Sequence, residues 1–181
     1  MNIIEIIASI FSLLSVIFAV RNNILTWPCA IIGVIFYSIF FHQNHILENM
    51  FLQIIFFIQS IYGWRKWDIT NSNKIEWLEK KDRNILAISS FLLTIFITYI
   101  LIITGDKSPY FDGITTSLSL IAMILLAKKK IDTWLYWIIV DILFVIFFLN
   151  EGNYLSSITY FVFLILAITG LKQWKRNIKT D

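Results

Sequence analysis

Residues 84–104 read NILAISSFLLTIFITYILIIT, twenty-one residues without a charged side chain. As a helix rising 1.5 Å per residue, such a run covers about 30 Å, the thickness of a bilayer's hydrocarbon core. The run is not isolated. The chain has 181 residues, of which 58% are hydrophobic and only 15% charged, against roughly 25% charged in a soluble domain. Comparable runs recur near 3–20, 25–41, 46–64, 113–127, 131–149 and 153–171. Together they predict an all-α integral membrane protein with seven transmembrane helices. The first run has no basic segment before it and no small-residue cleavage site, so it is expected to be a retained helix rather than a signal peptide.

Charge placement gives an orientation. Seven crossings put successive loops on alternate sides. One side then collects Arg21, Arg65, Lys66, Lys74, Lys80, Lys81, Arg83, Lys128, Lys129, Lys130, Lys172, Lys175, Arg176 and Lys179, leaving Lys107 alone on the other. By the positive-inside rule the N-terminus is expected outside and the C-terminus in the cytoplasm of a multi-pass protein of the cell (inner) membrane. The basic loop 65–83 reads as a topology anchor that meets anionic lipid heads, not as a nucleic-acid surface.

The sequence also aligns with itself at an offset of 107 residues, without a gap. Trp27 falls on Trp134, Gly63 on Gly170, Trp67 on Trp174, Glu5 on Asp112 and Ser12 on Ser119. The offset spans four crossings, an even number, so the two units are expected to be parallel. The predicted organisation is a first three-helix repeat over 1–67, a basic loop and linker helix over 68–111, and a second three-helix repeat with a basic tail over 112–181. Parallel repeats of this kind form transporters that hold substrate between them near the midplane.

The repeat breaks at informative places. Asp141 stands opposite Val34, Trp137 opposite Ala30 and Tyr160 opposite Gln53. Asp141 is eleven residues beyond Lys130, about 16 Å into the membrane. An ionisable group at that depth costs a few kcal/mol or more and usually faces a bundle interior or an aqueous path. Trp134 and Trp137 lie seven and four residues before it, on the same helix face, and Phe144 and Phe148 continue that face. A carboxylate beside indoles suits a flat, positively charged aromatic ring. Gln53 and Tyr160, at equivalent repeat positions, are candidates to hydrogen-bond its substituents, with Gln59, Tyr37 and Asn49 as further lining groups. For Trp134 an interfacial role is the alternative, and for the amides and phenols interhelical bonding is.

Other classes find less support. A single cysteine, Cys29, excludes a disulfide within the chain. A Gly-rich phosphate loop, a Cys/His zinc pattern and a GxSxG elbow are absent. His42, His45 and Glu48 lack a fourth ligand, so no metal is expected, nor any cofactor. A retinal-type receptor needs a lysine in the last span, and 153–171 has none. An intramembrane enzyme needs a nucleophile and base together, and both histidines lie in one loop. A passive scaffold leaves Asp141 unexplained.

The stretches IYGWRKW (61–67), LSLIAMILLAKKK (118–130), TWLYWIIVD (133–141) and the Gly170-x-x-x-Trp174 close resemble the PnuC-type vitamin transporters, over residues 9–175. The resemblance implies the three-plus-one-plus-three fold of the sugar-carrying SWEET proteins. It also implies a homotrimer with a pathway in each protomer, facilitated diffusion of a vitamin, and a cytoplasmic kinase that traps the substrate by phosphorylation. Riboside-carrying members often have Asn where Asp141 stands. A carboxylate fits the pyridinium of nicotinamide riboside or the thiazolium of thiamine, and has less to do for neutral riboflavin. The expected order is nicotinamide riboside, thiamine, riboflavin.

Overall fold

The computed structural model describes residues 3–43, 47–69 and 74–180. They form seven helices: α1 (Ile3–Val20), α2 (Thr26–Gln43), α3 (Leu47–Ile69), α4 (Lys80–Thr104), α5 (Pro109–Ala127), α6 (Asp132–Asn150) and α7 (Tyr154–Thr180). All but α3 are long and apolar enough to cross a membrane. With 23 residues, α3 also has the length to cross, but it carries Glu48, Arg65, Lys66 and Asp68 towards its two ends. The predicted helices all form, and the sequence placed their ends within a few residues except for α3 and α7. Both run further into the basic side than their apolar stretches do, because Arg65, Lys66, Lys172, Lys175 and Arg176 continue the helical backbone past the hydrocarbon.

Turn chemistry sets several ends. Gly105 takes a left-handed backbone (φ 80°), its N–H bonding Ile102 O at 3.2 Å while Asp106 N–H bonds Leu101 O at 3.0 Å. This pair of bonds uses carbonyls that the end of α4 would otherwise leave open. After α1 the same turn is made by Asn22 (φ 51°), and after α5 by Lys129 (φ 52°).

The helices α1, α2, α3, α5, α6 and α7 pack in that order into a ring that closes through α7 against α1, and α4 packs on the outside, mainly against α5. Two seams of this ring, α3–α5 and α7–α1, join the first three helices to the last three. At each seam a tryptophan crosses over. Trp67 Nε1 donates to Ala127 O at 3.2 Å, and Trp174 Nε1 donates to Ala19 O and Val20 O, both at 3.2 Å. Within each three-helix unit a second tryptophan backs the first. Trp27 meets Trp67 edge-on at 5.3 Å and Trp134 meets Trp174 edge-on at 5.4 Å. The Trp67 and Trp174 rings are 6.5 Å apart. Thr26 Oγ1 donates to Ser15 O in one unit, and Thr133 Oγ1 donates to Ala122 O at 2.8 Å in the other.

Lipid tails are as apolar as leucine, so close packing and interhelical hydrogen bonds hold such helices together. Glycine permits the closest approaches. A methyl group on Gly63 would overlap the Trp27 ring, and one on Gly170 would lie 2.6 Å from Trp134 ring atoms.

The segment after α3 lies across the same end. Ile131 N–H bonds Glu76 O at 2.9 Å and Glu76 N–H bonds Lys129 O at 3.3 Å. The Glu76 carboxylate pairs with Lys130. Asp132, 3% exposed at the start of α6, accepts from Leu78 N–H at 2.8 Å and from Arg83 Nε at 3.0 Å. Lys129 is half-buried with its ammonium 4.7 Å from the Trp67 ring centre, and desolvation lowers its pKa from the ordinary lysine value.

Overpacking of this kind costs about 1–3 kcal/mol. Gly63→Ala and Gly170→Ala are each expected to lower the melting temperature of the detergent-purified protein by several degrees. Melting unchanged in both variants would contradict the close indole approach.

Candidate functional site

Asp141 sits halfway along α6 and is 4% exposed. Its depth follows from the helix: it is nine positions from Asp132, the first residue of α6, and nine from Asn150, the last. Among the described residues the ion pairs are Arg83–Asp132 and Lys130–Glu76, and no lysine or arginine pairs with Asp141. A buried carboxylate with no cation beside it is the costly arrangement that the sequence pointed to.

The groups near Tyr160 come from four helices. Tyr160, on α7, lies within electrostatic reach of Asp141 (α6), Tyr37 (α2) and Asp112 (α5). Its ring stacks on Phe144 at 4.3 Å and on Phe148 at 5.5 Å, with Phe163 edge-on at 6.1 Å. Phe144 in turn meets Phe111 edge-on at 5.3 Å. The spacing of Phe144 and Phe148 on α6, and of Tyr160 and Phe163 on α7, turns these rings to one side of each helix. The result is an aromatic wall beside a carboxylate. Tyr37 shares a hydrogen bond with Ser9 Oγ at 3.0 Å, which ties α2 to α1 and fixes the phenol.

The remaining predicted site residues divide. Trp137 is half-buried and packs against the edge of the tryptophan core. Trp134 is 1% exposed within that core, against Gly170 and Trp174, and its indole N–H has no acceptor among the described residues. Its surroundings are thus those of a packing residue rather than of an interfacial one. Gln59 donates from Nε2 to Leu120 O at 3.0 Å across the α3–α5 seam, while its Oε1 is buried with no partner among the described residues. Gln53 is half-buried on α3. In the IYGWRKW stretch, Trp64 is 42% exposed as an interfacial anchor would be, whereas Trp67 is 5% exposed and belongs to the core. His42 is exposed; His45 and the side chains of Glu48 and Asn49 lie outside the described residues. Among the described residues no three of His, Cys, Asp and Glu group to hold a metal.

Sequence reasoning passed over two contributors. Asp112 stands in the first turn of α5, where the positive end of the helix dipole favours a carboxylate. Its acidic repeat partner, Glu5, was the available signal. Phe111 stacks on Phe147 at 4.1 Å, a contact between helices that spacing along one helix does not disclose.

A model of the nicotinamide mononucleotide transporter family matches residues 2–176. The chain belongs to this family. The nicotinamide riboside transporter PnuC of Escherichia coli is 28% identical over 201 residues, which cover 94% of this chain and 84% of that protein. The riboflavin/roseoflavin transporter RibM of Streptomyces davaonensis is 20% identical over 187 residues, covering 98% and 86%. The crystal structure of the vitamin B3 transporter PnuC superimposes with a TM-score of 0.80 at 18% identity, covering 98% of this chain and 82% of that one. That likeness extends the agreement to the all-helical fold. The chain is therefore a multi-pass membrane protein of a transporter family.

The Tyr160 stack can be tested without ligand. Tyr160→Phe keeps the ring, and its melting temperature is expected to stay within about a degree of wild type. Tyr160→Ala removes several ring contacts and is expected to cost about 2–4 kcal/mol. Equal melting of the two variants would place the ring outside the packed wall.

Proposed function

We propose that the protein is a facilitator for uptake of nicotinamide riboside, and that Asp141 balances the pyridinium charge of the bound substrate. The observation that carries this reading is a buried, mid-helix carboxylate with no cation paired to it among the described residues, next to an aromatic wall. A cationic ring supplies the missing charge and has a flat face to stack. In the proposed site the ring lies against Trp137 and the Phe144–Tyr160 wall, and Gln53, Tyr160, Tyr37 and Gln59 bond its polar substituents. Trp134 acts behind Trp137.

The family description and the PnuC relative differ by one phosphate, and charge separates them. Every lysine and arginine of this chain lies in a loop or at the end of a helix. A mononucleotide phosphate would meet Asp141 at mid-membrane, with no lysine or arginine paired to it among the described residues. The dephosphorylated riboside suits the site better. Riboflavin, which RibM carries, is neutral and leaves Asp141 unbalanced; thiamine carries a cation and is the competitor to include in any assay.

In this reading residues 1–67 and 112–181 are two parallel units, with 68–111 linking them. They rock about the substrate, which enters from outside, while the basic face looks into the cytoplasm. Recurrence of the tryptophan, threonine and turn contacts at a spacing of 107 supports the two-unit description. Transport is by facilitated diffusion in a homotrimer of the inner membrane, without chemistry on the substrate. A cytoplasmic kinase then retains the product by phosphorylation.

Losing a hydrogen bond or pairing to a buried charge costs about 1.5–3 kcal/mol, or roughly ten- to a hundredfold in affinity. Asp141→Asn is expected to weaken nicotinamide riboside binding by that factor in calorimetric titration of the detergent-purified protein. Undiminished affinity in this variant would remove the charge-balancing role.

A further inference from the structure

One face of α7 changes character along its length. Ile158, Phe161, Val162, Ile165 and Ile168 are exposed apolar residues spaced three or four apart. The same row continues through Thr169 to Lys172, Lys175 and Arg176. A recess of about 270 Å³ is lined by Thr169, Lys172, Gln173 and Arg176. A second of about 610 Å³ is lined by Trp77, Lys172, Lys175, Arg176 and Ile178. Among the described residues, neither lining includes an acidic residue. Trp77 is held at the second recess with its ring centre 5.2 Å from Lys175 Nζ and 5.7 Å from the Arg83 guanidinium carbon.

We propose that this end of α7 is a binding site for an anionic phospholipid. Lys172 and Arg176 hold the phosphate, Lys175 and Trp77 flank the headgroup, and the acyl chains follow Ile165 and Ile168 into the bilayer. Charge complementarity selects an anion, since basic residues near a membrane surface attract anionic lipids. Continuity with the apolar row selects an amphiphile over a free phosphate, which would use only the basic end. The site stands apart from Asp141 and does not depend on which vitamin is carried.

The test is native mass spectrometry of the detergent-purified protein with equal amounts of phosphatidylglycerol and phosphatidylcholine. Wild type is expected to retain phosphatidylglycerol preferentially, and Lys172→Gln/Arg176→Gln to lose about tenfold of that preference. Lys80→Gln/Lys81→Gln, which removes the same charge from exposed positions at the start of α4, is expected to keep it. Preference retained in the α7 variant, or lost equally in the α4 variant, would overturn the site. Displacement of the lipid by millimolar inorganic phosphate would overturn the amphiphile and leave a phosphate-only site.

Discussion

Two indole N–H groups tie one half of this protein to the other. Helix ends leave their last carbonyls without intrahelical partners. Val20 O ends α1 and Ala127 O ends α5, and each is bonded by a tryptophan from the opposite three-helix unit. Each unit thus caps the other's first helix. The rest of the basic end is built around this exchange. Trp27 and Trp134 brace the donors, Gly63 and Gly170 make room for the braces, and the left-handed turns at Asn22 and Lys129 return the chain. Interhelical bonds in membranes average about 0.6 kcal/mol and reach roughly 1.7. The ties are therefore strong enough to specify the packing and weak enough to be exchanged. The proposed rocking motion has to release them to open this face.

The other half of the membrane has a different character. Above the tryptophans, symmetry between the units gives way. Tyr37 in α2 is matched by Phe144 in α6, Gln53 by Tyr160, and Val34 by Asp141. The second unit brings a carboxylate and an aromatic wall, and the first brings hydroxyl and amide groups. A charged, one-sided ligand such as a nucleoside with a cationic base needs this kind of division. In the proposed reading, the tryptophan packing at one end holds the halves together, and the polar lining at mid-depth chooses the substrate.

Much of this was legible in the sequence. The apolar runs located the helices because only a spanning helix satisfies its own backbone in lipid. The 107-residue offset exposed Trp27, Gly63, Trp67 and their partners because rare residues recur only where packing demands them. Asp141 stood out by its cost. What spacing could not give was contact between helices. Trp134 shares a face with Asp141, yet its ring is spent on Gly170 and Trp174. Trp67 follows Arg65 and Lys66 in the sequence, yet the helix carries it inward to Ala127. Asp132, Glu76 and Trp77 were hidden among charges that composition assigns to solvent, whereas the fold turns them into the strap across the basic end.

In the proposed site a buried carboxylate recognises a cationic ring. The most direct measurement compares nicotinamide riboside with its reduced dihydro form, nearly the same in shape but uncharged on the ring, by calorimetric titration of the wild-type protein. Charge recognition predicts that the oxidised form binds about tenfold tighter or more. Equal affinities would contradict it, and would leave shape and hydrogen bonding as the basis of selection.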